Sequence, residues 1–241
     1  MKLGWRWLLV FLRVAGWLLT FAVVLIPHWI FTLFGGKHIV PPFLLRILGW
    51  ISGLRIRVVG KPLPHALLLG NHVTWLDIFA MAGVSKTAFV AQSGLADHPF
   101  LEWACLQNDT LFITRDRRQT VATQVEQVLE KLGHRRLTIF PESTTNDGIS
   151  LLPFRSSLLS AVERLPKDIA VQPFALDFED APQIAWFGEE PGMDNFFKIM
   201  ARTKPIYLTI RFLEPLQGEE LTNRKTMAAA AQEKVERALG M

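Results

Sequence analysis

Apolar and polar positions divide this chain into two unlike parts. From Val14 to Gly36 there is no Lys, Arg, Asp or Glu, a run of 23 residues against the ~20 that a helix needs to cross the hydrocarbon of a bilayer. Pro41-Pro42 ends it, and Phe43 to Ile51 is a second, largely apolar run. Lys2, Arg6 and Arg13 precede the uncharged stretch, and Trp5, Trp7, Trp17 and Trp29 punctuate the region. A basic flank with aromatic residues is what anchors a segment at a membrane interface. Three arrangements are open: a cleaved signal, one spanning helix, and a pair of helices dipping into one leaflet. The run is long, begins late and lacks an Ala-x-Ala step, which disfavours the signal. Pro27 breaks or kinks a straight helix and so favours the dipping pair. Residues 1–50 are therefore read as a membrane-embedded helical motif. The basic start places it on the inner (cytoplasmic) membrane with the remaining chain facing the cytoplasm.

Beyond residue 50 the pattern changes to short apolar runs alternating with stretches of helical period. Arg55 to Val59, Ala66 to Leu69, Lys86 to Ala91, Thr110 to Thr114, Leu137 to Phe140, Ile169 to Leu176, Gln183 to Phe187 and Ile206 to Phe212 read as strands, short and bounded by Gly, Pro or Asn. Thr120 to Leu132 carries apolar residues on one helical face and stops at Gly133. Leu76 to Ala82, Pro99 to Leu106, Arg155 to Arg164 and Asp194 to Ala201 are shorter helices. Asn223 caps a terminal helix that sets Met227, Ala231, Val235 and Leu239 on one side. Strands alternating with helices predict an α/β fold, a mostly parallel central sheet covered by helices. Residues 51–241 form that domain.

Composition narrows the partners. The net charge of +4 and pI near 9.4 suit an anionic membrane surface or an acidic substrate. No Lys/Arg tract or motif for nucleic acid accompanies them. Cys105 is the only cysteine, so no internal disulfide forms, and its apolar neighbours make it a small buried hydrophobe. The six His are scattered without ligand spacing, so no metal site is expected.

The chemistry-bearing residues stand at strand ends. His72 and Asp77 follow the apolar run Ala66 to Leu69. Five residues apart, they lie about 140° apart on one continuous helix and would not meet there. They meet if His72 occupies the strand-to-helix turn and Asp77 the first helical turn. The carboxylate would then hold one ring nitrogen and leave the other as a base. Taken alone, the pair reads as a cap or core histidine beside a helix-start charge. Phe140-Pro141-Glu142-Ser143-Thr144 places a second carboxylate at the same kind of strand end, where α/β sheets bind ligands. Arg115 follows another, and a guanidinium grips a phosphate or carboxylate in two-pronged fashion. Taken alone it is a surface charge.

These segments together resemble the glycerolipid acyltransferases of the PlsC type, the 1-acyl-glycerol-3-phosphate acyltransferases and their relatives. Asn71 to Asp77 looks like their N-H-x-x-x-x-D, Leu111 to Arg115 their block ending in Arg, Phe140 to Thr144 their F-P-E-G-T, and Val171-Gln172-Pro173 their V-P-like step. The resemblance covers about residues 50 to 215. It implies an O-acyltransferase that moves an acyl chain from acyl-CoA or acyl-carrier protein to the hydroxyl of a lysolipid, such as lysophosphatidate, without cofactor and without an acyl-enzyme. His72 and Asp77 would be catalytic. Asn71, Arg115, Glu142, Ser143 and Thr144 would bind substrate, with main-chain N–H groups after Asn71 steadying the oxyanion. Thr145 to Gly148, Leu152 to Ser157 and Ala185 to Gly188 look like a subgroup that includes lyso-ornithine-lipid acyltransferases, which makes an aminolipid the alternative acceptor. Ser143 departs from the pattern, standing where most members have Gly. Either the turn does not need φ > 0, or the acceptor pocket is changed. That departure also motivates a non-catalytic lipid-binding reading. A hydrolase is disfavoured, since no G-x-S-x-G is present.

Overall fold

The computed structural model describes residues 2–92, 99–113, 135–162 and 169–241. The chain opens with α1 (Lys2–Leu33), which runs unbroken through Pro27. The expected break at Pro27 is therefore corrected: the chain turns at Gly35 and Gly36, whose N–H groups bond back to Thr32 O and Phe31 O at 3.0 and 2.8 Å. Pro41 and Pro42 begin α2 (Val40–Ile51), in the first turn where a missing N–H costs nothing.

Beyond it follow β1 (Leu54–Val59), β2 (Leu67–Gly70), α3 (Leu76–Ser85), β3 (Ala88–Gln92), α4 (Pro99–Gln107), β4 (Leu111–Ile113), β5 (Leu137–Ile139), a 3-10 turn (Ser156–Val162), β6 (Val171–Phe178), α5 (Ala181–Ile184), α6 (Gly192–Met200), β7 (Ile206–Phe212) and α7 (Arg224–Leu239). The strands form one sheet in the order β1-β7-β6-β2-β5-β3-β4. Every neighbouring pair is parallel except β6 and β7. This is the mostly parallel, helix-covered sheet expected from the alternation of elements.

One further expectation differs. Gln183 to Phe187 is not a strand: Asp180 and Pro182 start the short helix α5, and Trp186 gives its N–H to Val73 O at 3.0 Å outside any ladder. The helix expected over Thr120 to Leu132 lies outside the described residues.

The core has two halves, one on each sheet face. Leu68, Phe174, Leu176, Ile210 and α3 residues such as Leu76 and Ala80 fill one, with Leu45 of α2 against it. Leu67, Leu69, Val171 and Ala175 meet Met227, Ala231 and Val235 of α7 on the other. Alternate residues of β2 and β6 thus serve opposite faces, as a strand's period of two requires.

α1 is fastened to this body along one side. Arg13 donates to the carbonyls of Ile199, Met200 and Arg202 at the end of α6 at 3.3, 3.0 and 2.9 Å. Trp17 donates to Leu48 O at 3.0 Å, and His28 Nε2 meets Gln107 Oε1 of α4 at 3.0 Å. The opposite side exposes Leu8, Leu12, Leu19, Ile26, Ile30 and Leu33 at helical spacing.

Candidate active site

β2 delivers the site. It ends at Gly70, where an added Cβ would lie 2.5 Å from the Phe174 ring, so only glycine lets the strand pass. Asn71 then takes the place of another strand residue. Its amide donates to Leu176 O at 3.0 Å and accepts from Leu176 N at 2.8 Å. Only 2% exposed, it ties β2 to β6.

His72 lies in the turn and Asp77 in the first turn of α3, the arrangement their spacing requires. His72 Nδ1 and Asp77 Oδ2 are 2.8 Å apart. The same oxygen accepts the N–H groups of Val73 and Thr74 at 2.6 and 3.0 Å. Asp77 is fully buried, while the imidazole is 20% exposed. A carboxylate only accepts, so Nδ1 carries the proton and Nε2 keeps its lone pair. Phe140 stacks on the imidazole at 4.3 Å and 15° and fixes the plane of the ring. The pair can therefore act as a general base whose basic nitrogen is set by a buried acid.

Glu142 sits behind this turn, 1% exposed. Oε1 accepts from His72 N at 2.7 Å and Oε2 from Leu152 N at 2.8 Å, and Asn146 Nδ2 donates to both, at 3.0 and 2.8 Å. Burial raises its pKa above the ordinary carboxylate value, against the lowering by these bonds. Its carboxylate holds the backbone of His72, a different task from the expected grip on an acceptor. Ser143 follows with φ of 63°, so the turn does demand the left-handed conformation although a serine occupies it. Thr144 is exposed at the loop surface. Arg115 lies outside the described residues. The N–H groups of His72, Val73 and Thr74 are all engaged internally, which removes them as oxyanion donors. Cys105, in α4, is half-buried, and burial pushes its thiol pKa up, disfavouring the nucleophilic thiolate.

Sequence reasoning missed Asn146. Its N–H reaches His72 O at 2.7 Å, its amide grips Glu142, and its Oδ1 accepts from Gly148 N at 2.7 Å. The one local signal is Asn-x-Gly, a turn whose side chain bonds two residues ahead. Thr145 adds a hydrogen bond to Trp186 O, so loops after β2, β5 and β6 are laced together.

Comparison with known proteins finds that residues 55–177 match the family model described as Acyltransferase. The chain is 32% identical to the lyso-ornithine lipid O-acyltransferase of Rhodobacter capsulatus, over 83% of this chain and 76% of that protein. It is 30% identical to the protein of the same name from Brucella abortus, over 83% and 82%. With the 1-acyl-sn-glycerol-3-phosphate acyltransferase of Neisseria gonorrhoeae the identity is 36%, over 47% of each chain. In fold, the LPA acyltransferase PlsC from Thermotoga maritima superposes with a TM-score of 0.73 at 16% identity, over 100% of this chain and 97% of that one.

Proposed function

The chain belongs to the acyltransferase family, and from that premise we propose that it transfers a fatty acyl group from a thioester donor to the free hydroxyl of a lysolipid at a membrane. The observation that carries the mechanism is the His72–Asp77 pair, 2.8 Å apart with Asp77 fully buried. Nε2 of His72 takes the hydroxyl proton. The oxygen bonds to the thioester carbonyl carbon, the carbon–sulfur bond breaks, and the proton passes from His72 to the leaving thiolate. Acyl-CoA and acyl-carrier protein both supply that thioester. Glu142 and Asn146 act on His72 through its peptide, as positioning residues. No acyl-enzyme is needed, in keeping with the disfavoured thiolate of Cys105.

The acceptor reading favoured is a lyso-ornithine aminolipid. Its support is coverage: the relatives of that name align over 83% of this chain, whereas the lysophosphatidate enzyme from Neisseria aligns over 47%. The higher identity of that shorter match, 36%, keeps lysophosphatidate, with phosphatidate as product, as the second reading. The exposed apolar side of α1 supports a membrane location, and the basic N-terminus supports the cytoplasmic face of the inner membrane.

The test offers purified wild type and His72→Ala a labelled acyl-CoA or acyl-carrier protein with each lysolipid. Wild type is expected to acylate the aminolipid, and the variant to turn over at least ~100-fold more slowly. Near-normal turnover by His72→Ala removes the mechanism. Product from lysophosphatidate alone moves the acceptor to the second reading.

A further inference from the structure

Charge is spread unevenly along this chain. Residues 1–76 hold eight Lys/Arg and no Asp or Glu, which leaves 18 of the 26 Lys/Arg beside all 22 Asp/Glu for the rest. The first acid is Asp77, and it is buried in the site. α1, α2 and β1 therefore carry basic charge alone.

Within this region the outward face of α2 is built differently from that of α1. Phe43, Arg46, Ile47 and Trp50 recur at helical spacing and share one face. Phe43, Ile47 and Trp50 are 54%, 42% and 62% exposed, and Arg46 is exposed among them. Two further cations bracket the stripe. Lys86, at the end of α3, stands over the Phe43 ring at 5.5 Å, and Arg55, from β1, over the Trp50 ring at 5.0 Å. Among the described residues none of these three cations takes part in an ion pair. Each keeps its charge beside an exposed apolar side chain. α1 and α2 run side by side: Trp17 Nε1 donates to Leu48 O at 3.0 Å, and a Cβ on Gly16 would lie 3.4 Å from Ile51 Cγ2. The stripe thus adjoins the helix whose exposed side is apolar throughout.

We propose that the outward face of α2 binds the phosphate groups of anionic phospholipids through Arg46, Arg55 and Lys86. Phe43, Ile47 and Trp50 enter the boundary between head groups and acyl chains. The long basic side chains lie over this apolar surface and hold their charges in the polar layer. α1 anchors the protein whatever the lipid charge, because the side it offers is apolar, and α2 adds a preference for a negatively charged leaflet. An acidic protein would match the cations but not the three apolar side chains among them, nor the apolar side of α1 next to them. The inference rests on the membrane location proposed above and adds a lipid class to it.

The test offers the full-length protein equal amounts of two kinds of vesicle as detergent is removed. One is phosphatidylcholine alone, the other phosphatidylcholine mixed with phosphatidylglycerol, and the distribution is measured after separation by density. Wild type is expected to favour the anionic vesicles at least ~20-fold at physiological salt, and to lose most of that preference near 1 M salt, where screening acts within about 3 Å. Arg46→Gln combined with Lys86→Gln should lower the preference about fivefold per cation. Lys225→Gln combined with Arg237→Gln removes the same charge from α7, on the opposite face of the sheet, and should leave it intact. An undiminished preference in the first pair overturns the inference. Equal losses in both pairs also overturn it, since net charge would then act without a site. Equal distribution of wild type, or a preference that survives high salt, overturns it without any variant and leaves the membrane location standing. Recovery with neither vesicle removes the location and the inference together. If the first pair keeps the lipid preference but loses saturation by acyl-carrier protein, the face serves an acidic protein and the inference falls.

Discussion

Ser143 shows how much one position can be made to bear. The turn that carries Glu142 holds Ser143 at φ of 63°, a conformation glycine adopts without penalty. An L side chain pays roughly 1–2 kcal/mol there. Ser143→Gly removes that strain but restores about 0.5–1 kcal/mol of unfolded-chain entropy. The variant should therefore gain about 0.5–1 kcal/mol, seen as a higher unfolding midpoint in detergent. An unchanged or lower midpoint would mean that the serine side chain offsets its own strain. Asn71 teaches the complementary lesson. Its place in the motif suggests a ligand contact, yet both ends of its amide are spent on Leu176.

At the scale of elements, the site is a seam between loops. β2 and β5 lie side by side in register, Leu67 to Leu137 through Leu69 to Ile139, so their following turns emerge together. Glu142 and Asn146 then grip the N–H and the C=O of His72 from the neighbouring turn, at 2.7 Å each. The cost is a buried carboxylate. Burial raises the pKa of Glu142 in the fold, so protonation there is favoured relative to the unfolded chain. Its contribution to stability is therefore full below the unfolded value of about 4.3 and shrinks as pH rises through the folded one. Wild type should lose melting temperature across that window, and Glu142→Gln, which does not titrate, should lose less. Parallel pH curves for the two proteins would show that the four accepted bonds compensate burial completely.

On the scale of the whole molecule, α1 decides how the enzyme meets the bilayer. Thirty-two residues make a helix about 48 Å long, well beyond the ~30 Å of hydrocarbon. Arg13 and His28, about 22 Å apart along its axis, are both bonded to the globular body. The reverse side is apolar and exposed over its length. A helix pinned at two such points beside a polar body would have to carry that body into the hydrocarbon if it spanned the membrane. Lying along one leaflet exposes only the apolar side to lipid. Single cysteines introduced as Leu8→Cys, Leu19→Cys and Ile30→Cys, in a Cys105→Ser background, should show the same shallow depth to lipid-borne quenchers. A depth that changes steadily from Leu8→Cys to Ile30→Cys would establish a spanning helix.

What the sequence determined by itself was what depends on near neighbours. The strand runs, the cap at Asn223 and the buried face Met227, Ala231 and Val235 are local in origin, and each was legible from spacing and turn chemistry. So was the meeting of His72 with Asp77, because only a turn joins residues at that interval. Gln183 to Phe187 misled, since its apolar spacing suits a strand but no neighbouring strand was there to pair with it. Pro27 misled because a proline weakens a helix that packing against the body can still hold. Tertiary structure alone decided that Glu142 serves His72, 70 positions away, and that Asn146 joins them. Those partnerships follow from strand order, which brings distant turns to one sheet edge, and no local period encodes which turns will share it.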